Sequence, residues 1–292
     1  MSVLPWQQAA ERELRQRIAA DRLPHALLLT GPAGWGERSL VNWLALHLLG
    51  ADESGDAETL AHPDLRWIRP DGALIKIDAI RELAEFAQGT PQAARCKVAV
   101  LLDAHAMNRN AANALLKTLE EPPPGTYLLL VTSRPAHLLP TVRSRCQRVS
   151  FGADVVAARQ WLADTVSVPD LEQRLFEHGG APVAIAEGCA QGEIPLAGLL
   201  EAAARGDEPG DLAQQLVAQG LAGVTARWLR HVGALLAEDA RVAAPANVSA
   251  RGAARFADEL VWVRGQLLAS NSVNERLMAE RLVVLWRGLA NS

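Results

Sequence analysis

The sequence is short of cysteine, of long apolar runs and of positive charge. Its three cysteines, Cys96, Cys146 and Cys189, lie far apart and are odd in number. That argues against a disulfide framework, fits a reducing cytosol, and gives no cysteine-based metal cluster. No apolar run approaches the roughly 18 residues of a membrane-spanning helix, and the polar, charged N-terminus does not read as a signal peptide. A cytoplasmic protein without membrane partners is expected. The net charge of −4 excludes general nucleic-acid binding, so any DNA contact must use a local basic face or be shared with other chains. There is no internal repeat and no low-complexity segment. What is present is 49% hydrophobic and 21% charged residues in 292, enough for a sizeable core and two or three domains.

Residues 7–21 read as an amphipathic helix. Ala26–Thr30 is a short apolar run, as expected of a strand buried on both faces of a parallel sheet. A glycine-rich loop, residues 31–36, and a helical pattern over Ser39–Leu49 follow. The order then repeats: strand Leu65–Ile68; a helix over Ala79–Gln88 with Asp78 as its cap; strand Lys97–Leu102; helix Asn110–Glu120, stopped by Pro122, Pro123 and Pro124; strand Tyr127–Thr132; a short helix or turn at Leu138–Arg143; strand Gln147–Phe151. Alternating strands and helices define a parallel α/β domain over 1–151. Beyond it the strands stop. Residues 152–195 read as a small helical lid and 196–292 as an all-α domain, with Gly/Pro breaks at 205–210 and around Pro245.

Four segments bear on chemistry. In the loop GPAGWGERS, Gly31, Gly34 and Gly36 have the layout of a phosphate-binding P-loop. The lysine that would reach the phosphates is replaced by Glu37, and the hydroxyl that would hold Mg²⁺ by Arg38. Glu37 sets a negative charge beside a polyphosphate, and Ser39 falls one place late. By itself the segment fits a plain tight turn as well as a degenerate phosphate loop. After strand KVAVLL comes Asp103 and then Ala104, so the second, water-activating carboxylate of many P-loop enzymes is missing. Asp103 is either a strand-end polar residue or a vestigial metal ligand. Ser144-Arg145-Cys146 sits between a short helix and a strand. Its arginine is either solvated or offered to a neighbour's γ-phosphate. In NAANALLKTLEEPPPGT, the residues alone make Leu115, Leu116 and Leu119 core and Lys117 a solvated charge.

Taken in order, LPHALLLTGPAGWG, KVAVLLDAH, ANALLKTLEEPP and SRC resemble the bacterial DNA polymerase III clamp-loader family of AAA+ proteins. The resemblance is strong over 20–151, weaker in the lid, and a matter of layout in the C-terminal domain. It implies an AAA+ P-loop domain, a helical lid and a helical collar. It also implies partners: motor subunits and a delta subunit in a hetero-pentameric ring, a sliding clamp, and primer–template DNA. Motor subunits of this family carry an intact P-loop, an acidic pair and a γ-phosphate-sensing arginine in the lid. Here Glu37, Arg38, Ala104 and Val183 stand at those places, while the SRC arginine is kept. The resemblance therefore implies a non-hydrolysing subunit of the polymerase complex whose Arg145, flanked by Ser144 and Cys146, serves a neighbour's ATP site. No hydrolysable ATP is expected in its own. The alternative is a motor-type ATPase in which Arg38 replaces the lysine. The family's four-cysteine zinc module is absent from residues 50–64, where His62 and Asp64 make no tetrahedral site alone, so no zinc is expected. Arg109 and Arg143 are positioned for phosphate contacts. The last helix offers Leu277, Leu282, Leu285 and Trp286 for packing within its own domain, between subunits, or both.

Overall fold

The computed structural model describes residues 3–72, 74–167, 170–239, 248–269 and 273–290. The chain forms two compact units, 1–161 and 162–292. The sequence-based boundary after residue 151 falls inside the first unit, and the one after 195 inside the second.

The first unit opens with a 3-10 turn, Pro5–Gln7, and helix α1 (Gln8–Ala19). Strand β1 (Ala26–Thr30) runs into the glycine loop and α2 (Glu37–Leu49). Then come β2 (Leu65–Ile68), α3 (Ile77–Gln88), β3 (Lys97–Leu101), α4 (Arg109–Glu120), β4 (Thr126–Thr132), α5 (Pro140–Arg143), β5 (Gln147–Ser150) and α6 (Val155–Thr165). All five strands are parallel, in the order β2-β3-β4-β1-β5. β1 and β3 are buried at every residue, because helices cover both faces. Ala26, Leu28, Ala99, Leu101, Leu128 and Leu130 face Ile80, Leu83, Leu115 and Leu119 of α3 and α4. The alternate residues point to the opposite face.

Two expected helix starts shift, α3 from Ala79 to Ile77 and α4 from Asn110 to Arg109. Asp78 does not cap α3: the helix begins at Ile77 after Lys76, and the Asp78 carboxylate pairs with Arg81 at 3.2 Å. The cap of α4 is Asn108, whose side chain accepts from the Ala111 N–H at 2.8 Å.

Residues 50–64 have almost no regular structure, yet side chains of α1 and α2 hold them. Glu53 accepts from Arg15 Nη2 and Trp43 Nε1, each at 2.9 Å, and lies 2.6 Å from His47 Nδ1. Asn42 donates to the Gly55 carbonyl at 3.0 Å and accepts from the Ala57 N–H at 2.7 Å.

The second unit is helical: α7 (Leu171–Glu177), α8 (Pro182–Ala190), α9 (Leu196–Arg205), α10 (Pro209–Ala218), α11 (Leu221–Leu236), α12 (Ala250–Ala269) and α13 (Glu275–Ala290). The break at 205–210 is the α9–α10 turn, with Gly206 at φ 102°; the one around Pro245 lies outside the described residues. The core gathers Leu200, Leu216, Trp228, Phe256, Leu282 and Trp286. A buried charge network ties α7 to α9 and α11. Glu177 accepts from the N–H groups of Leu196 and Ala197 at 3.0 and 3.2 Å, and Arg227 pairs with Glu193 at 2.5 Å.

Candidate functional site: a degenerate phosphate loop and an arginine at the surface

In open α/β sheets, sites form outside the carboxyl ends of the strands. Here those ends carry the glycine loop after β1, Asp103 after β3 and Thr132 at the end of β4. Gly34 and Gly36 take φ of 75° and 84°, left-handed conformations that suit glycine and shape the turn leading into α2. Gly31 has another role. A Cβ there would lie 2.0 Å from Cζ of Phe151, so the ring rests on the loop itself.

The N-terminal turn closes the loop from outside. Trp6 Nε1 donates to the Trp35 carbonyl at 2.8 Å, and Gln7 Nε2 to the Gly36 carbonyl at 2.6 Å. The indole of Trp6 also meets Trp35 and Trp161 edge-on, each at 5.6 Å. Gln7 is fully buried by this packing. Sequence reading missed both residues, since nothing local marks a helix-leading Trp-Gln pair as a partner of a loop 29 positions on.

Glu37 is half-buried. The N–H groups of its own residue, Gly34 and Gly36 favour its charged form. Burial pushes its pKa up to about 7 and the nearby Asp103 carboxylate adds to this, against the pull of those N–H groups. Arg38 points away and pairs with Glu58, which also holds Arg69 at 3.2 Å. The Ser39 N–H donates to the Gly36 carbonyl at 2.9 Å. Asp103 is exposed and left-handed, with φ 46°, while Ala104 is fully buried beneath it. Thr132 Oγ1 lies 2.9 Å from His105 Nδ1 and accepts from the Arg134 N–H at 3.0 Å. Burial lowers the pKa of His105. This Thr132–His105 pair was also missed; its signal was a polar residue closing an apolar strand.

The SRC segment lies apart from the loop, beyond α5. Cys146 packs against the core, and burial raises its thiol to about 11. It anchors the turn from below. Ser144 Oγ donates to the Thr141 carbonyl at 3.1 Å. Arg145 projects outward: Nη1 donates to the Thr141 carbonyl at 3.0 Å, and Nη2 pairs with Glu120, at the end of α4, at 2.6 Å. Arg109 and Arg143 are both exposed.

A five-stranded parallel sheet in this order, with a glycine loop after β1 and a helical region later in the chain, is the fold of a P-loop protein of the AAA+ type. The family model described as "DNA polymerase III, delta subunit" matches residues 6–154, and the chain belongs to that family. It is 40% identical over 200 residues to DNA polymerase III subunit delta' of Pseudomonas aeruginosa, across 62% of this chain and 60% of that protein. With subunit delta' of Escherichia coli K12 the identity is 34% over 156 residues, across 49% and 47%. The chain thus spans about half the length of the curated relatives it matches. A solved structure, a DNA polymerase III gamma subunit-related protein from Thermotoga maritima, superposes with a TM-score of 0.60 at 22% identity, covering 95% of this chain and 99% of that one. That likeness speaks for the fold alone.

Proposed function

We propose that this chain is a non-hydrolysing, delta-prime-type subunit of a bacterial DNA polymerase III clamp loader, and that it lends Arg145 to the ATP site of a neighbouring motor subunit. The observation that carries the reading is the contrast between two places on one domain. At the loop, half-buried Glu37 stands where the phosphate-binding lysine would be, beside the Asp103 carboxylate, and Arg38 is paired with Glu58. At the SRC turn, Arg145 is at the surface, held by the Thr141 carbonyl and Glu120, on a turn whose Cys146 packs into the core; a neighbour's γ-phosphate would compete with Glu120 for it. The loop does not fit a Mg²⁺–nucleotide, so the chain is read as having no ATPase of its own. The engagement of Arg38 likewise weighs against a motor-type enzyme that uses it as the missing lysine.

In this reading the partners are motor subunits and a delta subunit in a five-membered ring that loads a sliding clamp onto primed DNA. DNA contact is shared among chains, with Arg109 and Arg143 as this chain's phosphate contacts. Zinc plays no part: Asp64 spends its carboxylate on the N–H groups of Gln92, Ala93 and Ala94. Among the described residues no helix is long and apolar enough to cross a membrane.

Arginine fingers are worth roughly 10³–10⁵ in rate. Arg145→Ala is expected to leave folding and assembly intact and to cut the DNA- and clamp-stimulated ATPase of the reconstituted complex sharply. Wild-type turnover in that complex would sink the proposal.

A further inference from the structure

We propose that Glu120 sets the ATP concentration at which Arg145 engages a neighbouring chain: its carboxylate parks the guanidinium, and engagement must first break that pair. The inference rests on the reading above, since it needs Arg145 to serve another chain's ATP, and it adds the residue that governs release. Arg145 Nη2 lies 2.6 Å from Glu120 Oε1, and Nη1 donates to the Thr141 carbonyl at 3.0 Å. Both side chains are exposed. Glu120 is the last residue of α4, a 12-residue helix. A carboxylate there meets the negative end of the helix dipole, so it does not help the helix that carries it. Arg145 is its partner among the described residues. The carboxylate therefore serves the arginine rather than α4. Backbone and side chain differ in freedom. The Arg145 N–H donates to the Val142 carbonyl at 3.2 Å and Cys146 packs against the core, so the turn itself is fixed. The guanidinium is held by one carbonyl and one exposed carboxylate. Such a pair is weak and screened by salt. A phosphate offers more charge and a bidentate fit to the same fork. Rotation of the side chain alone carries Arg145 from one anion to the other.

The test is the ATP dependence of the DNA- and clamp-stimulated ATPase of the reconstituted complex, with melting of the isolated chain as the check on folding. Glu120→Gln keeps the length and removes the charge that competes with phosphate. It is expected to lower the ATP concentration for half-maximal rate about 2–5-fold with kcat unchanged, the size an exposed ion pair allows. Raising salt from about 50 to 200 mM should shrink that difference, because the pair is screened. A merely structural role of Glu120 would not split KM from kcat and follow salt in this way. In an Arg145→Ala background the same substitution should leave the residual ATP dependence unchanged, since the partner is gone. An ATP dependence equal to wild type, or a fall in kcat, overturns the parking role; if Arg145→Ala still cuts turnover, the clamp-loader reading stands. Wild-type turnover in the Arg145→Ala complex overturns both.

Discussion

Phe151 gives Gly31 a structural reason to be glycine that needs no nucleotide. A methyl group at residue 31 would lie 2.0 to 2.6 Å from three atoms of the ring, inside contact distance. Overpacking of this kind costs typically about 1–3 kcal/mol. Gly31→Ala should lower the urea midpoint accordingly, and an unchanged midpoint would mean that the ring moves aside freely. Asp64 carries a pH dependence. It is fully buried, which by itself would raise its pKa, but the N–H groups of Ala94, Ala93 and Gln92 outweigh burial and hold it below the ordinary carboxylate value. Between the folded and unfolded pKa the unfolded chain binds more protons, so stability rises with pH there. The contribution is complete above the unfolded value of about 4 and is lost as pH falls through the lower folded one. Asp64→Asn should flatten that acid-side fall and lower stability at neutral pH by about 1–3 kcal/mol; an acid limb as steep as wild type would count against it. At this scale the sequence told which charge stood in the wrong place. It did not tell how far Glu37 is buried, because that depends on how the loop and Asp103 pack around it.

The central strands were legible because burial on both faces demands unbroken apolar residues, as ALLLT and YLLLVT show. The edges were harder. β2 and β5 are four residues each, with mixed exposure, and their pairing comes from the sheet beside them. The start of α3 moved because Asp78 serves Arg81 rather than a backbone N–H. Residues 50–64 were blank in the sequence because their order is imposed from elsewhere. Glu53 gathers Arg15, Trp43 and His47, and Arg15 in turn lies 4.6 Å over the Trp43 ring. Glu53→Ala removes the common acceptor of three groups. The expected result is faster limited proteolysis within 50–64 and a loss of about 1–2 kcal/mol, since one acceptor serves several donors. Unchanged cleavage there would show that the contacts of Asn42, Glu58 and Asp64 fix the loop without Glu53.

In the second unit the helices were legible, but the direction of their apolar faces was not. LVVLW in α13 is a continuous run, and a run alone does not separate inside from outside. The structure does. Leu282 and Trp286, one turn apart, are buried; Trp286 lies 5.4 Å from Phe256 and 5.8 Å from Trp228, and its Nε1 donates to the Leu200 carbonyl at 3.3 Å. Leu277 and Leu285 stay 61% and 40% exposed, as does Val284 at 54%. The run therefore has two fates, and two substitutions separate them. Leu282→Ala empties core volume and should cost about 2–5 kcal/mol, read as a lower melting temperature of the isolated chain. Leu285→Asp disturbs no core contact, so the isolated chain should melt within about 0.5 kcal/mol of wild type. If the outward face of α13 serves ring assembly, Leu285→Asp should nonetheless weaken co-assembly with clamp-loader subunits, seen by native mass measurement as loss of the complete ring. Full assembly of a well-folded Leu285→Asp chain would remove that face from the collar and leave α13 to the core of its own unit.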